Sequence, residues 1–487
     1  MTTTATLPIK FGTDGWRALI GEDYTFENVR LCTQALCMHF KATGLGKRGI
    51  VVGYDTRFRS EDFAVATTEV LTGNGFKVYL CDRAAPTPVV SYTIQALQAD
   101  GAVIITSSHN PAAYNGFKIK TADSSSAPQE MVDAIEAHLP ELARTRHVEQ
   151  RSLHAAKALG QVEMVNPVPA YDARVRDLMG EQRLENLRSA GLIIKVDSMY
   201  GAGAGYFRRL LKGGATSVGE LNGYRNPAFP GIAPEPITRN LAKLMRSVPQ
   251  QGAAVGLATD GDADRLGVVD ENGDFVTQLQ VYALLAWYLL EVRKLRGPLI
   301  KSITTSSMIY RLGERYNVPV IETDVGFKFI GPAMIEHDAL MGGEESGGYG
   351  FRGHIPERDG IVAGLYFLDL MVATGKTPTE LLAALYDVVG PHYYDRRDLQ
   401  FPADRREAII AGVAKDRATL GKTKVTNMER FGGGATPLNG VRFTLADNSW
   451  LLVRFSGTEP VLRVYSEAPS PDRVQELLDS GVALAGL

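Results

Sequence analysis

Cysteine is scarce in this sequence: Cys32, Cys37 and Cys81 are the only three among 487 residues. An odd count without the close Cys or His spacing of a zinc site excludes a disulfide framework and fits a reducing compartment. An excess of charge of one sign is also lacking. Lys and Arg number 52 against 55 Asp and Glu, a formal net charge of −3. That balance offers no electrostatic basis for binding nucleic acid or an anionic membrane. Long apolar runs are missing too: the greasiest stretch, residues 281–290, is too short to span a bilayer and predicts a buried helix. Residues 1–10 contain no apolar segment of signal-peptide type. The expectation is a soluble, cytoplasmic protein.

What is present is ordinary globular material, 45% hydrophobic and 22% charged. At this length one core is insufficient, so several domains are expected. Strand-like and helix-like stretches alternate: residues 49–54 read as strand, 61–74 as helix, 77–81 as strand, 88–98 as helix and 102–106 as strand. The pattern restarts near 192–196 and 299–304, with proline-rich stretches at 166–169 and 226–236 between. The last hundred residues differ. Residues 441–445 and 450–455 flank an Asp447-Asn448 turn as a hairpin, 461–467 adds a strand, and Ser470-Pro471 opens a closing helix. This reads as three similar mixed α/β domains, with mostly parallel strands, followed by a smaller α+β domain. The expected boundaries are 1–160, 161–273, 274–388 and 389–487.

The densest chemical signal is Asp260-Gly261-Asp262-Ala263-Asp264-Arg265. Three carboxylates within five residues repel unless a cation shares the space, and oxygen-only ligands suit a hard ion such as Mg2+. Apolar runs on both sides put the loop between two buried strands, and the adjacent arginine suits a phosphate. A solvated Asp-Gly turn is the plainer alternative. A calcium EF-hand loop is excluded: Glu271 falls at the twelfth position, but Arg265 occupies the sixth, where glycine is needed.

Three further loops follow strand-like stretches, and in open α/β sheets ligands bind beyond the carboxyl ends of strands. In Thr106-Ser107-Ser108-His109-Asn110-Pro111, with Lys118 close behind, Ser108 could act as a nucleophile activated by a neighbour; the same residues also suit a helix cap or turn. In Gly342-Gly343-Glu344-Glu345-Ser346-Gly347-Gly348, Glu344 and Ser346 suit the vicinal hydroxyls of a sugar, or the segment is a flexible surface loop. Arg454, Ser456, Gly457 and Thr458, with Arg463 on the next strand, suit a phosphate dianion, or form a plain turn. Four such loops suggest one site in a shared cleft. Gly201, Gly203 and Gly205 only imitate a dinucleotide fingerprint, because the third glycine belongs at 206, where Tyr206 stands.

Together with Phe11-Gly12-Thr13-Asp14-Gly15-Trp16-Arg17, these loops resemble, in family order along nearly the whole chain, the α-D-phosphohexomutase superfamily of phosphoglucomutases and phosphomannomutases. The resemblance implies a fourth domain of TATA-binding-protein-like fold and a central cleft. It implies that Ser108 carries a phosphoryl group, that Asp260, Asp262 and Asp264 hold Mg2+ with a phosphoserine oxygen, and that Arg265 faces that phosphoserine. By the same resemblance Glu344 and Ser346 hold sugar hydroxyls, and Arg454, Ser456, Gly457 and Thr458 clamp the non-reacting phosphate. Lys328, in Val325-Gly326-Phe327-Lys328, matches a proposed general base, and His109 and Arg17 match active-site groups.

The implied reaction interconverts hexose 1- and 6-phosphates through a 1,6-bisphosphate, with glucose 1,6-bisphosphate as activator and a monomer or homodimer as the working form. Many relatives acting on mannose or glucosamine phosphates end the sugar loop in Ser-Gly-His. Ser346-Gly347-Gly348 here leans towards glucose phosphates. A bisphosphate-releasing phosphotransferase of the same fold and a sugar-phosphate-binding protein without catalysis stay open, the latter disfavoured by the intact Ser108 and aspartates.

Overall fold

The computed structural model describes residues 7–433, 436–455 and 461–487. The chain forms two compact units, one of Met1–Ile303 with Tyr316–Leu382, the other of Thr304–Arg315 with Ala383–Leu487.

The first unit contains three mixed sheets. In the largest, seven strands lie in the order Phe11–Gly12, Gly15–Leu19, Tyr114–Thr121, Gly101–Ile105, Ile50–Tyr54, Val78–Cys81 and Val162–Val165. Ile50–Tyr54 and Gly101–Ile105 are buried throughout, which is why they read as continuous apolar runs rather than alternating ones. Helix Phe26–Thr43 is capped at its start by Thr25, whose side chain accepts from the backbone of Asn28, and stopped by Gly44 in the left-handed region at φ 73°. The edge strand Val162–Val165 pairs with Val78–Cys81, so this sheet runs past the boundary expected after residue 160.

The second sheet has five strands in the order Phe275–Val276, Leu266–Val269, Val255–Thr259, Ile193–Asp197 and Ser217–Leu221, and the third has four, Val320–Thr323, Leu299–Ser302, Met341–Gly343 and Tyr349–Phe351. The sheets are less parallel than the alternating pattern suggests. In each, a strand with a parallel neighbour turns back as an antiparallel hairpin: Gly101–Ile105 with Tyr114–Thr121, Val255–Thr259 with Leu266–Val269, and Met341–Gly343 with Tyr349–Phe351. The Ser108, aspartate and Glu344 loops are each the tip of one of these hairpins, which binds the loop to the sheet on both sides.

Residues 281–290 are indeed buried helix: Gln278–Trp287 starts in a capping box between Thr277 and Gln280 and continues as a π-helical turn over Tyr288–Val292. Among the described residues no helix is long and apolar enough to cross a membrane.

The second unit is built on a six-stranded antiparallel sheet in the order Tyr393–Gln400, Val461–Ala468, Trp450–Phe455, Thr436–Leu445, Thr423–Gly433 and Thr419–Leu420. The expected hairpin pairs Val441 with Val453 and Thr444 with Trp450. The closing helix Pro471–Ala485 starts as read, with the Ser470 side chain accepting from the backbone of Arg473 at 3.3 Å. Thr304–Arg315 groups with this unit although it lies within the expected 274–388 segment, and the backbone N–H of Ser307 donates to Glu467 at 2.9 Å.

Candidate active site

Three hairpin tips of the first unit meet around one group of buried charges. No helix begins at residues 106–110, so the cap reading fails; the segment is a tight turn feeding Tyr114–Thr121. Ser108 sits at its apex, fully buried and in the left-handed region at φ 51°. A non-glycine residue there costs roughly 1–3 kcal/mol and persists only where the surroundings enforce it. The enforcement comes from Arg57, whose guanidinium donates to the carbonyls of Ser108 and Asn110 at 2.6 Å, Pro111 at 3.0 Å and Tyr114 at 3.1 Å. Arg57 is itself paired with Asp55 at 3.2 Å, and Asp55 accepts from Thr106 at 2.6 Å.

This geometry aims the serine hydroxyl at the aspartate loop. Ser108 Oγ donates to Asp260 Oδ2 at 2.8 Å and lies 3.3 Å from His109 Nδ1. Burial, with Arg265 and Arg17 nearby, holds the His109 imidazole well below its ordinary range, so it is neutral at pH 7. Arg17 donates to Asn110 Oδ1 at 2.9 Å, on the same turn.

The solvated-turn reading of the aspartate loop fails on burial: Asp260, Asp262 and Asp264 are each 0% exposed, with ligand oxygens within 4.8 Å of one another. Asp260 Oδ1 organises its own loop by accepting from the backbone N–H groups of Asp264 and Arg265 at 3.0 and 3.2 Å. Asp262 Oδ2 accepts from Thr87 at 2.6 Å and Lys118 Nζ at 2.8 Å. Asp264 Oδ2 accepts from Arg358 at 2.7 Å.

The carboxylates therefore titrate in opposite directions. Burial pushes Asp262 up, but Lys118 and its hydrogen bonds pull harder and leave it below the usual range. Burial and the charges of Asp264 and Asp262 drive Asp260 well above it, since its nearest cation, Arg265, is 3.9 Å away. Asp262 Oδ1 and Asp264 Oδ1 have no hydrogen-bond partner among the described residues. Buried carboxylate oxygens without donors are costly, and these two, beside an Asp260 whose carboxyl burial and its neighbours push above the ordinary range, fit a divalent cation held by oxygen ligands.

The third tip arrives by backbone. Leu266 N–H donates to Gly347 O at 2.9 Å, and Arg265 forms an isolated bridge with Gly348. Glu344 is 6% exposed and accepts from Arg358 at 3.2 Å, and Ser346 Oγ is buried without a partner among the described residues. A flexible surface loop does not describe this segment. Burial raises the Glu344 carboxyl above its ordinary value.

Sequence reasoning assigned no role to two residues that tie these loops together. Asp14 accepts from Arg358 at 2.7 Å and pairs with Lys118 at 2.8 Å. Burial raises its carboxyl, but Lys118, Lys120 and Arg358 together hold it well below the usual range. Arg358 reaches Asp14, Asp264 and Glu344 at once. The available signal was the run Glu357-Arg358-Asp359 set directly before an apolar helix, Gly360–Thr374, that Asp359 caps.

Lys328 opens helix Phe327–Glu336 and donates to Gln129 at 2.9 Å, and burial lowers its ammonium pKa. In the second unit Arg454 and Arg463 are cross-strand partners beside the loop that joins their strands. Like charges opposite one another on a sheet destabilise it unless an anion offsets them, and Asp398 already pairs with Arg463 at 3.7 Å. Ser456, Gly457 and Thr458 lie outside the described residues.

Comparison with known proteins gives a consistent picture. Four family models match, described as phosphoglucomutase/phosphomannomutase alpha/beta/alpha domain I over residues 8–146, domain II over 174–273, domain III over 278–389 and the C-terminal domain over 404–483. A Thermococcus kodakarensis protein named "Phosphoglucomutase/phosphomannomutase" is 30% identical over 476 residues, covering 97% of this chain and 98% of that protein. A Methanothermobacter thermautotrophicus protein named "Probable phosphoglucosamine mutase" is 31% identical over 471 residues, 96% of each chain. A solved structure from Thermus thermophilus, described as "putative phosphomannomutase", superposes with a TM-score of 0.82 at 34% identity over 99% of this chain and 100% of that one.

Proposed function

Since the chain belongs to the phosphoglucomutase/phosphomannomutase family and is thereby an enzyme of the mutase class, we propose that it interconverts hexose 1-phosphates and hexose 6-phosphates, with glucose phosphates preferred and mannose phosphates also accepted. The observation that carries this reading is the hydrogen bond from Ser108 Oγ to Asp260 inside a buried triad with unpaired oxygens. A serine placed there can carry a phosphoryl group whose charge has somewhere to go.

In this reading Mg2+ is held by Asp260, Asp262, Asp264 and an oxygen on Ser108, and when bound it neutralises charge on the transferring phosphoryl. The remaining work falls to side chains. The Ser108 Oγ–P bond breaks as a sugar hydroxyl forms the new O–P bond; the hydroxyl proton passes to a base, a role this reading gives to Lys328, and the departing Ser108 Oγ takes up a proton in turn. Arg265 Nε, buried without an acceptor among the described residues, is free to donate to a phosphoryl oxygen. Lys118 neutralises the aspartate loop from behind, and His109 Nδ1, 3.3 Å from Ser108 Oγ, stands beside the serine oxygen. Glu344 and Ser346 hold the sugar hydroxyls. Arg454 and Arg463, with the Ser456, Gly457 and Thr458 loop, hold the phosphate that is not reacting. The bisphosphate then turns over and returns its other phosphate to Ser108, and glucose 1,6-bisphosphate primes enzyme that has lost its phosphate.

The segments 1–160, 161–273, 274–388 and 389–487 each supply one of these loops, in a cytoplasmic monomer or homodimer. The test is a kinetic panel of glucose, mannose and glucosamine 1-phosphates with and without glucose 1,6-bisphosphate. Conversion of glucose 1-phosphate to the 6-phosphate with only trace free bisphosphate is expected. Steady bisphosphate release outpacing isomerisation would replace the mutase with a bisphosphate synthase.

A further inference from the structure

Gly348 is the last glycine of the loop that carries Glu344 and Ser346, and the reason for a glycine there differs from its neighbour's. Gly347 has φ 87°, where only glycine is comfortable. Gly348 has no such backbone requirement, since its φ lies outside the left-handed region. What it lacks is room. A Cβ built on Gly348 would lie 2.1 Å from Arg358 Cδ and 2.8 Å from Arg358 Cγ. The methylenes of Arg358 pass through the volume a side chain at 348 would fill.

The direction of that passage matters. Beyond Gly348 the guanidinium spreads over carboxylates from three separate parts of the chain: Glu344 at 3.2 Å, Asp264 at 2.7 Å and Asp14 at 2.7 Å. Arg358 is 5% exposed, so these are desolvated, charge-assisted contacts rather than a surface pair. The planar fork holds its donors in fixed directions, which the rotatable ammonium of a lysine does not. Arg358 is the side-chain donor that Glu344 accepts from, so the direction of that carboxylate depends on the arginine's path.

We propose that Gly348 and Arg358 form a single positioning device for sugar discrimination: the missing side chain at 348 admits Arg358, and Arg358 orients Glu344 towards the sugar and ties it to the metal-loop residue Asp264. The proposal rests on the reading of Glu344 as a ligand of sugar hydroxyls. It makes any side chain at 348 equivalent to displacing Arg358, and it makes the two positions energetically inseparable.

A double-mutant cycle of Gly348→Ala, Arg358→Ala and the pair tests this, read as kcat and KM for glucose 1-phosphate and each of its monodeoxy analogues. Wild type should lose on the order of tenfold or more in kcat/KM when the hydroxyl bound by Glu344 is removed, since a site built to pair a hydroxyl rejects the analogue lacking it. In Gly348→Ala and in Arg358→Ala that penalty should shrink to a few-fold at most, with Arg358→Lys intermediate. The double variant should be no worse than Arg358→Ala alone, because the overlap has gone.

Urea unfolding of the same four proteins gives a second readout independent of turnover: Gly348→Ala should be destabilised in the wild-type background and not in the Arg358→Ala background. Multiplying effects of the two substitutions, or an unchanged hydroxyl penalty in Gly348→Ala, would overturn the device. If wild type turns over no hexose phosphate, the functional reading and the discrimination claim fall together, and the unfolding cycle still decides whether the two residues are sterically paired.

Discussion

Ser108 Oγ donates to Asp260 Oδ2 at 2.8 Å across 152 positions of sequence. The bond joins the tip of one hairpin to the tip of another and gives a buried hydroxyl a single direction. If that serine is the phosphoryl carrier, intact-mass and phosphopeptide measurements should find phosphate on Ser108, and Ser108→Ala should retain almost no mutase turnover. Full activity in the alanine variant would remove the central claim.

Removal of metal should be read in stability as well as rate. Mg2+ at about 100 times its dissociation constant would stabilise the folded state by about 2.7 kcal/mol. Turnover should vanish in EDTA, and the melting temperature should rise on adding Mg2+ to the stripped protein. Asp262→Ala should show neither response, and a normal magnesium-dependent rise in that variant would count against the assignment.

The raised Asp260 carboxyl sets a pH signature of the stripped protein. Between its ordinary value and the raised folded value, the folded state binds the proton that the unfolded state has released. Stability contributed by that proton is present at low pH and lost as pH rises through the window. The stability difference between wild type and Asp260→Asn should therefore change with pH in EDTA, in the direction of wild type weakening as pH rises, and flatten in saturating Mg2+. A pH-independent difference in EDTA would contradict the burial and repulsion invoked for Asp260.

Gly261 is needed for close approach: a Cβ there would stand 2.4 Å from the carbonyl oxygen of Ser108. Gly261→Ala should push the serine turn away from the triad. A displacement of even about 1 Å at reacting groups costs on the order of a hundredfold, so kcat should fall far more than circular dichroism or melting temperature. A variant that keeps wild-type kcat would show that the two loops need not touch so closely.

The three cysteines should be silent in the native state. All are buried, and burial raises each thiol, that of Cys81 to about 12. Ellman's reagent at pH 8 should modify none of them in folded protein and all three in denaturant. Rapid modification of native protein would mean that the helix Phe26–Thr43, which holds Cys32 and Cys37, or the strand Val78–Cys81 opens readily.

Arg454→Ala should raise KM for every sugar phosphate by a similar factor, because the phosphate is common to them. The loss of one charge-assisted contact corresponds to roughly 1.5–3 kcal/mol. An effect confined to one sugar would assign the arginine to the sugar ring.

Sequence by itself singled out the serine, aspartate and glutamate loops, which the fold brings together. Asp260, Asp262 and Asp264 are packed too tightly in sequence to be indifferent to a cation, and apolar runs on either side place their loop between buried strands. The α/β alternation, the hairpin at Asp447-Asn448 and the Ser470 cap were legible because each is a local matter of periodicity or turn chemistry. Tertiary structure alone decided the partners.

Arg358 and Asp14 are 344 positions apart, and Lys118 and Asp262 are 144 apart. No local pattern encodes such pairs, since they depend on how three sheets set their hairpin tips against one another. The edge strand Val162–Val165 was missed for the same reason: its place is set by pairing with Val78–Cys81, and four residues are too few to show a period of their own. The glycine at 348 is the sharpest case. In sequence it is one more small residue in a glycine-rich loop; only the path of Arg358 across it shows that the absent side chain is what the site requires.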